Sequence, residues 1–173
     1  LFCGCGGMDL GLTYAGHEIV WSNDIDEDSI KSYKNYFCNN FKHNEKNIVC
    51  EDIYKINTQK IPKCDLVVGG FPCQGFSIAN LFRKEYRQSE EYNNNLYLQF
   101  LRIIDEIKPK YFLGENVKGI LSLGGYETKF DKQIKEGRFL KIILRDMKNI
   151  GYRVTWKVLN ASSYGVPQRR ERV

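Results

Sequence analysis

Cys73, in the stretch FPCQGFS, is placed where its thiol could act as a nucleophile. Pro72 fixes its own φ and pushes Phe71 toward an extended conformation, so the direction of the following thiol is constrained. The apolar run 66–68, just upstream, is typical of a buried strand. A free cysteine is more often an inert buried residue, but a position just after a strand end favours a reactive thiol here. The remaining cysteines lack that setting, and we assign none of them a nucleophilic role: Cys3, Cys5, Cys38, Cys50 and Cys64.

Glu115, in YFLGENVKG, is a candidate for proton transfer. It follows the apolar run 111–113, so we expect it at the same edge of the sheet as Cys73. A carboxyl group against apolar surface is suited to carrying a proton near neutral pH. The alternative is a solvent-facing glutamate that caps a helix.

The stretch GVPQRRERV carries a second set of charged groups. If it is extended, Gln168, Arg170 and Arg172 share one face, and Arg169 and Glu171 share the other. Two arginines on one face offer fixed donors to an anion or to the carbonyl of a base. A charge run is usually a solvated surface, but this one follows a well-patterned predicted strand, which favours a site.

The stretch LFCGCGGMDLGL places Gly4, Gly6 and Gly7 between a predicted strand and a helix, where a ligand can approach the backbone. Asp9 stands where the dinucleotide motif GxGxxG has its third glycine. Asp24 ends the next predicted strand, where an acidic side chain can bond ribose hydroxyls. Asp52 ends the third and could bind an adenine amino group. Turn glycines and helix-capping aspartates remain the alternative, but three such strand ends together favour an adenosine-type cofactor.

Short apolar runs alternate with amphipathic stretches along the chain, which predicts a doubly wound, mostly parallel α/β sheet with its sites at the carboxyl ends of the strands. The predicted strands are 1–2, 18–22, 48–50, 66–68, 111–113 and 152–159. The predicted helices are 8–15, 26–37, 96–107 and 139–150. Two polar stretches, 79–95 and 122–138, are predicted to be long loops.

Composition narrows the class of protein. The chain has 173 residues, a net charge of +5 and 42% hydrophobic residues, as in an ordinary globular domain. Residues 87–173 hold 17 Lys and Arg against 10 Asp and Glu, which is compatible with a polyanionic partner. The cysteine and histidine spacing matches no metal site. Without a signal peptide or an apolar run that could span a bilayer, we expect reduced thiols in a cytoplasm. The Lys-, Asn- and Ile-rich composition is compatible with an AT-rich bacterial source.

Four motifs in this order resemble the cytosine-C5 DNA methyltransferases: LFCGCGGMDLGL, FPCQGFS, GENVKG and YGVPQRRER. The resemblance covers essentially the whole chain. It implies a Rossmann-like class I methyltransferase fold, S-adenosylmethionine as cofactor, no metal, and transfer of a methyl group to C5 of a flipped-out cytosine in duplex DNA.

The resemblance also assigns roles to residues. Cys73 resembles the thiolate that adds to C6 of cytosine, Glu115 the acid at N3, and Arg170 and Arg172 the partners of the flipped base. Phe2 would stack on the adenine, and the other implied cofactor residues are Gly4, Cys5, Gly6, Gly7, Asp24, Ile25, Asp52, Ile53, Gly70, Pro72 and Leu96.

The resemblance implies partners and domain limits as well. We expect a monomer that binds double-stranded DNA, with a cognate restriction endonuclease acting on the same site as a further candidate partner. Residues 1–173 would be one catalytic domain cut at both ends and lacking the target-recognition region, so we expect this stretch alone to be inactive.

Three other functions fit parts of the pattern. A tRNA cytosine-C5 methyltransferase would carry the same motifs, and the recognition region would decide between tRNA and DNA. A catalytically inactive homologue that binds partners is disfavoured by the presence of Cys73, Glu115, Arg170 and Arg172. An NAD-dependent oxidoreductase is disfavoured by the interrupted GxGxxG pattern.

Overall fold

The computed structural model describes residues 1–72 and 96–173 of the chain. Cys73 and the predicted loop 79–95 lie outside these residues. The chain divides into two compact units. Unit 1 comprises residues 1–71 and 102–113, and unit 2 comprises residues 72–101 and 114–173.

Helices and strands are interspersed along the described residues, as the sequence predicts, although their alternation is not strict. The helices are α1 (Gly7–Tyr14), α2 (Glu27–Phe41), α3 (Leu96–Ile107), α4 (Lys129–Ile134) and α5 (Arg138–Asn149). The strands are β1 (Ser22–Asp24), β2 (Ile48–Cys50), β3 (Leu66–Gly69), β4 (Tyr111–Gly114), β5 (Leu159–Asn160) and β6 (Glu171–Arg172). No helix of the described residues is long and apolar enough to cross a membrane.

In unit 1 the first residues of the chain connect two pairs of strands. β1 pairs with β2 in parallel, and β3 pairs with β4. Leu1 N donates to Val68 O at 2.7 Å, and Cys3 N donates to Asn23 O at 3.0 Å. Residues 1–3 therefore lie between β1 and β3. This places the glycine-rich loop, residues 4–7, at the carboxyl end of the sheet.

Helix α2 covers one side of β1 and β2. Asp26 caps its N-terminus, where the side chain accepts a hydrogen bond from Ser29 N. Ile30, Tyr33 and Phe37 recur every three or four residues, so they share one face of the helix. All three are buried. This face forms a core cluster that also includes Ile48 of β2.

The predicted strand 18–22 is wrong over most of its length, because β1 begins only at Ser22. A strand needs a partner, and the parallel partner β2 begins at Ile48, directly after the 3₁₀ turn Glu45–Asn47. Residues 18–21 instead line a cavity of about 280 Å³ that also borders β3.

Unit 2 is built around helix α5. Its buried side chains form one apolar stripe, and they are Phe139, Leu140, Ile142, Ile143 and Met147. The stretch 122–138, predicted to be a loop, contains the short helix α4. A capping box begins this helix, in which Thr128 and Asp131 exchange side-chain and backbone hydrogen bonds. Lys141 of α5 holds the same Asp131 carboxylate at 2.7 Å.

The predicted strand 152–159 is also wrong, because only Leu159 of this stretch belongs to a strand. Half-buried and exposed residues alternate along it, as the sequence pattern indicates, so the backbone is placed like a strand. The antiparallel register joins Leu159 to Arg172 and Asn160 to Glu171. Among the described residues this ladder therefore ends at Leu159, because hydrogen-bonded pairing defines a strand and alternation alone does not.

Candidate active site

The glycine-rich loop is held by the carboxylate that ends β1. Gly4 N donates to Asp24 Oδ2 at 2.7 Å, and Asp26 N donates to Asp24 Oδ1 at 3.0 Å. Gly6 N closes the loop on Cys3 O at 2.9 Å. One carboxylate thus fixes both the loop and the start of α2, and each oxygen keeps a lone pair for a further donor.

The three loop glycines have different surroundings. A Cβ on Gly4 or on Gly7 would have open space around it, so a ligand can approach the backbone at both positions. Gly6 has φ +92°, and a Cβ there would lie 2.3 Å from the ring of Phe37. Gly4 and Gly7 therefore fit a ligand cradle, whereas Gly6 is required by packing. Cys5, between Gly4 and Gly6, is exposed.

The backbone of Phe2, the residue predicted to stack on the adenine, is strained. Its φ is +54°, a left-handed conformation that bulky residues rarely adopt. The hydrogen bonds of Leu1 N and Cys3 N hold the backbone on both sides of it. Strain of this kind persists where the surrounding structure fixes it, and it clusters at functional sites.

The two predicted adenosine carboxylates lie at the ends of paired strands. In the register of β1 and β2, Asp24 faces Cys50, and Asp52 follows two residues later. Asp52 caps the 3₁₀ turn Ile53–Lys55 by accepting from Tyr54 N at 3.1 Å. A carboxylate at each of these positions can accept hydrogen bonds from hydroxyl or amino groups, and the ribose and adenine contacts stay a prediction.

The isoleucines beside these carboxylates have opposite environments. The Ile25 side chain is 66% exposed, which leaves an apolar surface free for an adenine ring. Ile53 is 4% exposed, so only its backbone is available to a ligand. Its carbonyl already accepts a hydrogen bond from Arg102 at 2.9 Å.

The remaining predicted cofactor residues are divided between the units. Gly70 follows β3 in unit 1, whereas Pro72 and Leu96 belong to unit 2. Pro72 is exposed, and Leu96 is the first residue of α3. Ten of the twelve predicted cofactor residues therefore belong to unit 1.

In unit 2 the structure brings two predicted catalytic residues together. Arg172 Nε lies 2.9 Å from Glu115 Oε1, and the two side chains are 27% and 34% exposed. The prediction of an apolar setting for Glu115 is wrong, because a guanidinium faces the carboxylate. Among the described residues, Oε2 has no such partner and remains available to a ligand.

Backbone pairing holds this ion pair in place. Asn116 N donates to Val173 O, and Val173 N donates to Asn116 O, both at 2.9 Å. Val117 forms an antiparallel bridge with Arg172. The motif GENVKG therefore lies beside the end of YGVPQRRERV, although the two are far apart in sequence.

Arg170 does not join the Glu115–Arg172 pair. Arg170 is exposed, and its guanidinium has no hydrogen-bond or ion-pair partner in the described part of the chain. Its backbone is fixed instead, because Arg170 N donates to Asn160 Oδ1 at 3.2 Å and Arg170 O accepts from Ala161 N at 2.9 Å. The free guanidinium is available to an anion or to a base.

The structure adds residues that the sequence argument missed. Asn160 holds the backbone of the arginine segment, residues 160–172, by accepting a hydrogen bond from Arg170 N. The available signal in the sequence was an asparagine directly before a short turn. Lys118 donates to Glu171 at 2.8 Å, and this hydrogen bond lowers the pKa of the Glu171 carboxyl.

The expectation of inert thiols is supported at two of the other cysteines. Burial raises the pKa of the Cys3 thiol to about 12, and burial also raises the pKa of Cys64. The thiolate is the nucleophilic form of cysteine, so both side chains are poor nucleophiles at neutral pH.

Comparison with known sequences identifies the family. The profile described as "C-5 cytosine-specific DNA methylase" matches residues 1–173. Type II methyltransferase M.NgoFVII from Neisseria gonorrhoeae is 39% identical, with 100% of this chain and 41% of the relative covered. Type II methyltransferase M.FnuDI from Fusobacterium nucleatum is 36% identical, with 100% and 44% covered. The chain therefore spans less than half the length of these curated relatives.

Solved structures agree on the fold. Dnmt2 methyltransferase from S. pombe superimposes with a TM-score of 0.67 at 21% identity, covering 99% of this chain and 47% of the other. DNMT2 from Spodoptera frugiperda gives 0.69 at 24% identity, covering 99% and 46%. Together with the family profile, these likenesses confirm the predicted doubly wound, Rossmann-like class I methyltransferase fold. The match of the family profile to all 173 residues establishes that the chain belongs to the C-5 cytosine-specific DNA methylases.

Proposed function

We propose that the protein transfers a methyl group from S-adenosylmethionine to C5 of cytosine in a specific duplex DNA sequence. The observation that carries the proposal is the Glu115–Arg172 pair at 2.9 Å. It joins the two motifs whose residues were expected to hold the target base, and a planar guanidinium beside a carboxylate suits the polar edge of a pyrimidine.

The residues of unit 1 fit the proposed cofactor. S-adenosylmethionine would supply an electrophilic methyl group on its sulfonium sulfur. Gly4 and Gly7 leave their backbone open to the ligand, Asp24 and Asp52 offer carboxylates to its hydroxyl and amino groups, and Ile25 offers an exposed apolar surface. The other proposed cofactor residues of unit 1 are Phe2, Cys5, Gly6, Ile53 and Gly70, and those of unit 2 are Pro72 and Leu96.

The proposed chemistry begins with Cys73, which lies outside the described residues. Its thiolate would add to C6 of cytosine, because C5 is a poor nucleophile until electron density is pushed onto it. Glu115, once it has taken up a proton on the oxygen that does not face Arg172, would donate this proton or a strong hydrogen bond to N3 and stabilise the charge that develops there. C5 would then take the methyl group as its bond to the sulfonium sulfur breaks, which leaves S-adenosylhomocysteine as the product. A base would remove the C5 proton, the bond between C6 and the Cys73 sulfur would break, and N3 would release its added proton, which restores the ring.

The proposed substrate accounts for the basic arginine segment. A cytosine in a duplex must leave the stack before a side chain can reach C6. Arg170, whose guanidinium is free among the described residues, would bind the flipped nucleotide together with Arg172.

We also propose that the protein acts beside a restriction endonuclease of the same specificity, since two relatives carry the name type II methyltransferase.

The test is transfer of labelled methyl groups by the full-length protein to duplex DNA and, in parallel, to tRNA. We expect label in DNA, confined to one short sequence and located at C5 of cytosine by methylation-sensitive sequencing. Label in tRNA alone would replace the proposal with a tRNA methyltransferase. Absence of label in both substrates, with a folded protein, would favour the inactive homologue.

A further inference from the structure

Asp9, Ser22 and Tyr33 form a hydrogen-bonded cluster behind the glycine-rich loop. Tyr33 OH lies 2.7 Å from Asp9 Oδ2, Ser22 Oγ lies 2.9 Å from the same oxygen, and the two hydroxyl oxygens are 2.8 Å apart. Tyr33 is 0% exposed and Ser22 is 2% exposed. The hydroxyl protons of Tyr33 and Ser22 are thus shared among three short oxygen–oxygen contacts, two of which involve the Asp9 carboxylate. None of these residues was predicted to bind the cofactor.

Tyr33 also touches the loop through its ring. A Cβ on Gly6 would lie 2.8 Å from the Tyr33 ring, so this ring leaves room for glycine alone at that position. The Tyr33 and Phe37 rings are stacked at 4.1 Å. Tyr33 is therefore contacted from two sides: Gly6 of the loop lies against its ring, and Asp9, in the first turn of α1, accepts a hydrogen bond from its hydroxyl.

The cluster explains why the glycine pattern is interrupted at Asp9. In the dinucleotide motif the third glycine permits close packing of the helix on the strand. Here a carboxylate at that place links α1 to Ser22 of β1 and to Tyr33 of α2. Asp9 also lies in the first turn of α1, where a negative charge is favoured by the helix dipole.

The hydroxyl of Tyr33 is held in its donor form. Burial raises its pKa, and the negative charge of Asp9 raises it further. The hydrogen bond from Tyr33 to a carboxylate is of the charge-assisted kind, which is stronger than a bond between neutral groups.

We propose that Tyr33, together with Asp9 and Ser22, is a positioning residue that fixes the glycine-rich loop in its cofactor-binding conformation. This inference rests on the proposed function. Tyr33 acts through Gly6 and Asp9 and does not touch the reacting atoms. Its loss therefore weakens the binding of S-adenosylmethionine and leaves the chemical step intact.

Tyr33→Phe in the full-length protein tests the inference, because it removes the hydroxyl and keeps the ring. Tyr36→Phe is the matched control: it makes the same change on the same helix, but its hydroxyl bonds to Tyr14 and the residue is 41% exposed. We expect Tyr33→Phe to raise both KM and the calorimetric Kd for S-adenosylmethionine about tenfold, with kcat at saturating cofactor within about twofold of wild type. Tyr36→Phe should leave all three constants unchanged.

Further variants keep the inference open to contradiction. Asp9→Asn keeps an acceptor oxygen and loses the charge, so we expect a smaller rise in KM than for Tyr33→Phe. If Tyr33→Phe does not fold, Ser22→Ala removes the other donor with little loss of volume and should raise KM in the same way. Unchanged cofactor binding in the folded variants, an equal rise in Tyr36→Phe, or a fall in kcat alone would overturn the inference. If wild type itself does not bind S-adenosylmethionine, the proposed function fails instead.

Discussion

The glycine-rich loop and the arginine segment, residues 160–172, differ in how their polar groups are satisfied. In the loop, Gly4 N donates to the Asp24 carboxylate, and directly after the loop, in the first turn of α1, the Asp9 carboxylate accepts from the buried Tyr33. In the arginine segment, the Arg170 guanidinium is exposed and has no partner within the described residues. The loop is therefore fixed by the protein itself, whereas the arginine segment keeps the Arg170 guanidinium available for a ligand.

The largest effect is expected at Cys73, which the account assigns to chemistry and not to cofactor binding. Cys73→Ser should lower turnover by ~10⁴-fold or more, as the loss of a catalytic nucleophile does elsewhere. Binding of S-adenosylmethionine, measured by calorimetry, should stay at the wild-type value. Turnover close to wild type in this variant would refute the assignment of the nucleophile.

The next effect is expected at the ion pair of unit 2. Glu115→Gln keeps the shape of the side chain but cannot donate a carboxyl proton, so kcat should fall by ~10²–10³-fold with cofactor affinity unchanged. Lys110→Gln is the control, because it breaks an exposed pair with Asp65 of nearly the same length, 2.8 Å. A similar loss of kcat in both variants would mean that Glu115 has no special role.

A smaller effect, on the free energy of unfolding, tests whether packing of Gly6 against Phe37 fixes the loop. Gly6→Ala forces a Cβ onto the Phe37 ring at a positive φ, and we expect it to lower the free energy of unfolding by about 2–4 kcal/mol. Gly11→Ala, in the same helix α1 with open space around it, should raise the free energy by about 0.5–1 kcal/mol. Thermal unfolding of both variants provides the comparison. Equal effects would show that packing on Phe37 does not fix the loop.

The smallest effect concerns the acid stability of unit 1. Burial lowers the pKa of His43 below its ordinary value of 6.5, and its ring lies 5.1 Å from that of Phe37. As the pH falls, the His43 imidazole therefore takes up a proton in the unfolded chain before it does so in the folded protein. This uptake favours the unfolded chain, so the folded state loses stability. His43→Phe removes that loss, so its Tm should fall less than that of wild type between about pH 7.5 and about pH 5.5. An equal fall in both proteins would contradict the assigned cause.

Most of the fold could be predicted because its elements carry local signals. The stretch 96–107 is strongly amphipathic and forms α3 with those bounds, and 48–50 forms β2 as predicted. The predictions for 18–22 and 152–159 failed because strand limits depend on a partner's hydrogen bonds, which no local pattern contains. Helix α4 was missed although its capping box was present in the sequence.

The candidate site was predictable to the level of residue types. Strand ends in the sequence pointed to Asp24, Asp52 and Glu115. They did not indicate that Asp24 binds the loop backbone, or that Arg172 pairs with Glu115. The contact of Tyr33 with Asp9 joins residues 24 positions apart, so only the folded arrangement reveals it.

Covalent trapping tests whether Cys73 attacks C6 of the target cytosine. Duplex DNA with 5-fluorocytosine at the methylated position should form a denaturant-stable complex with the full-length protein in the presence of S-adenosylmethionine. Fluorine at C5 cannot leave as a proton does, so the thiol is not eliminated. Wild type should form this adduct and Cys73→Ser should not. Absence of an adduct with wild type, on a sequence that it demonstrably methylates, would contradict the account.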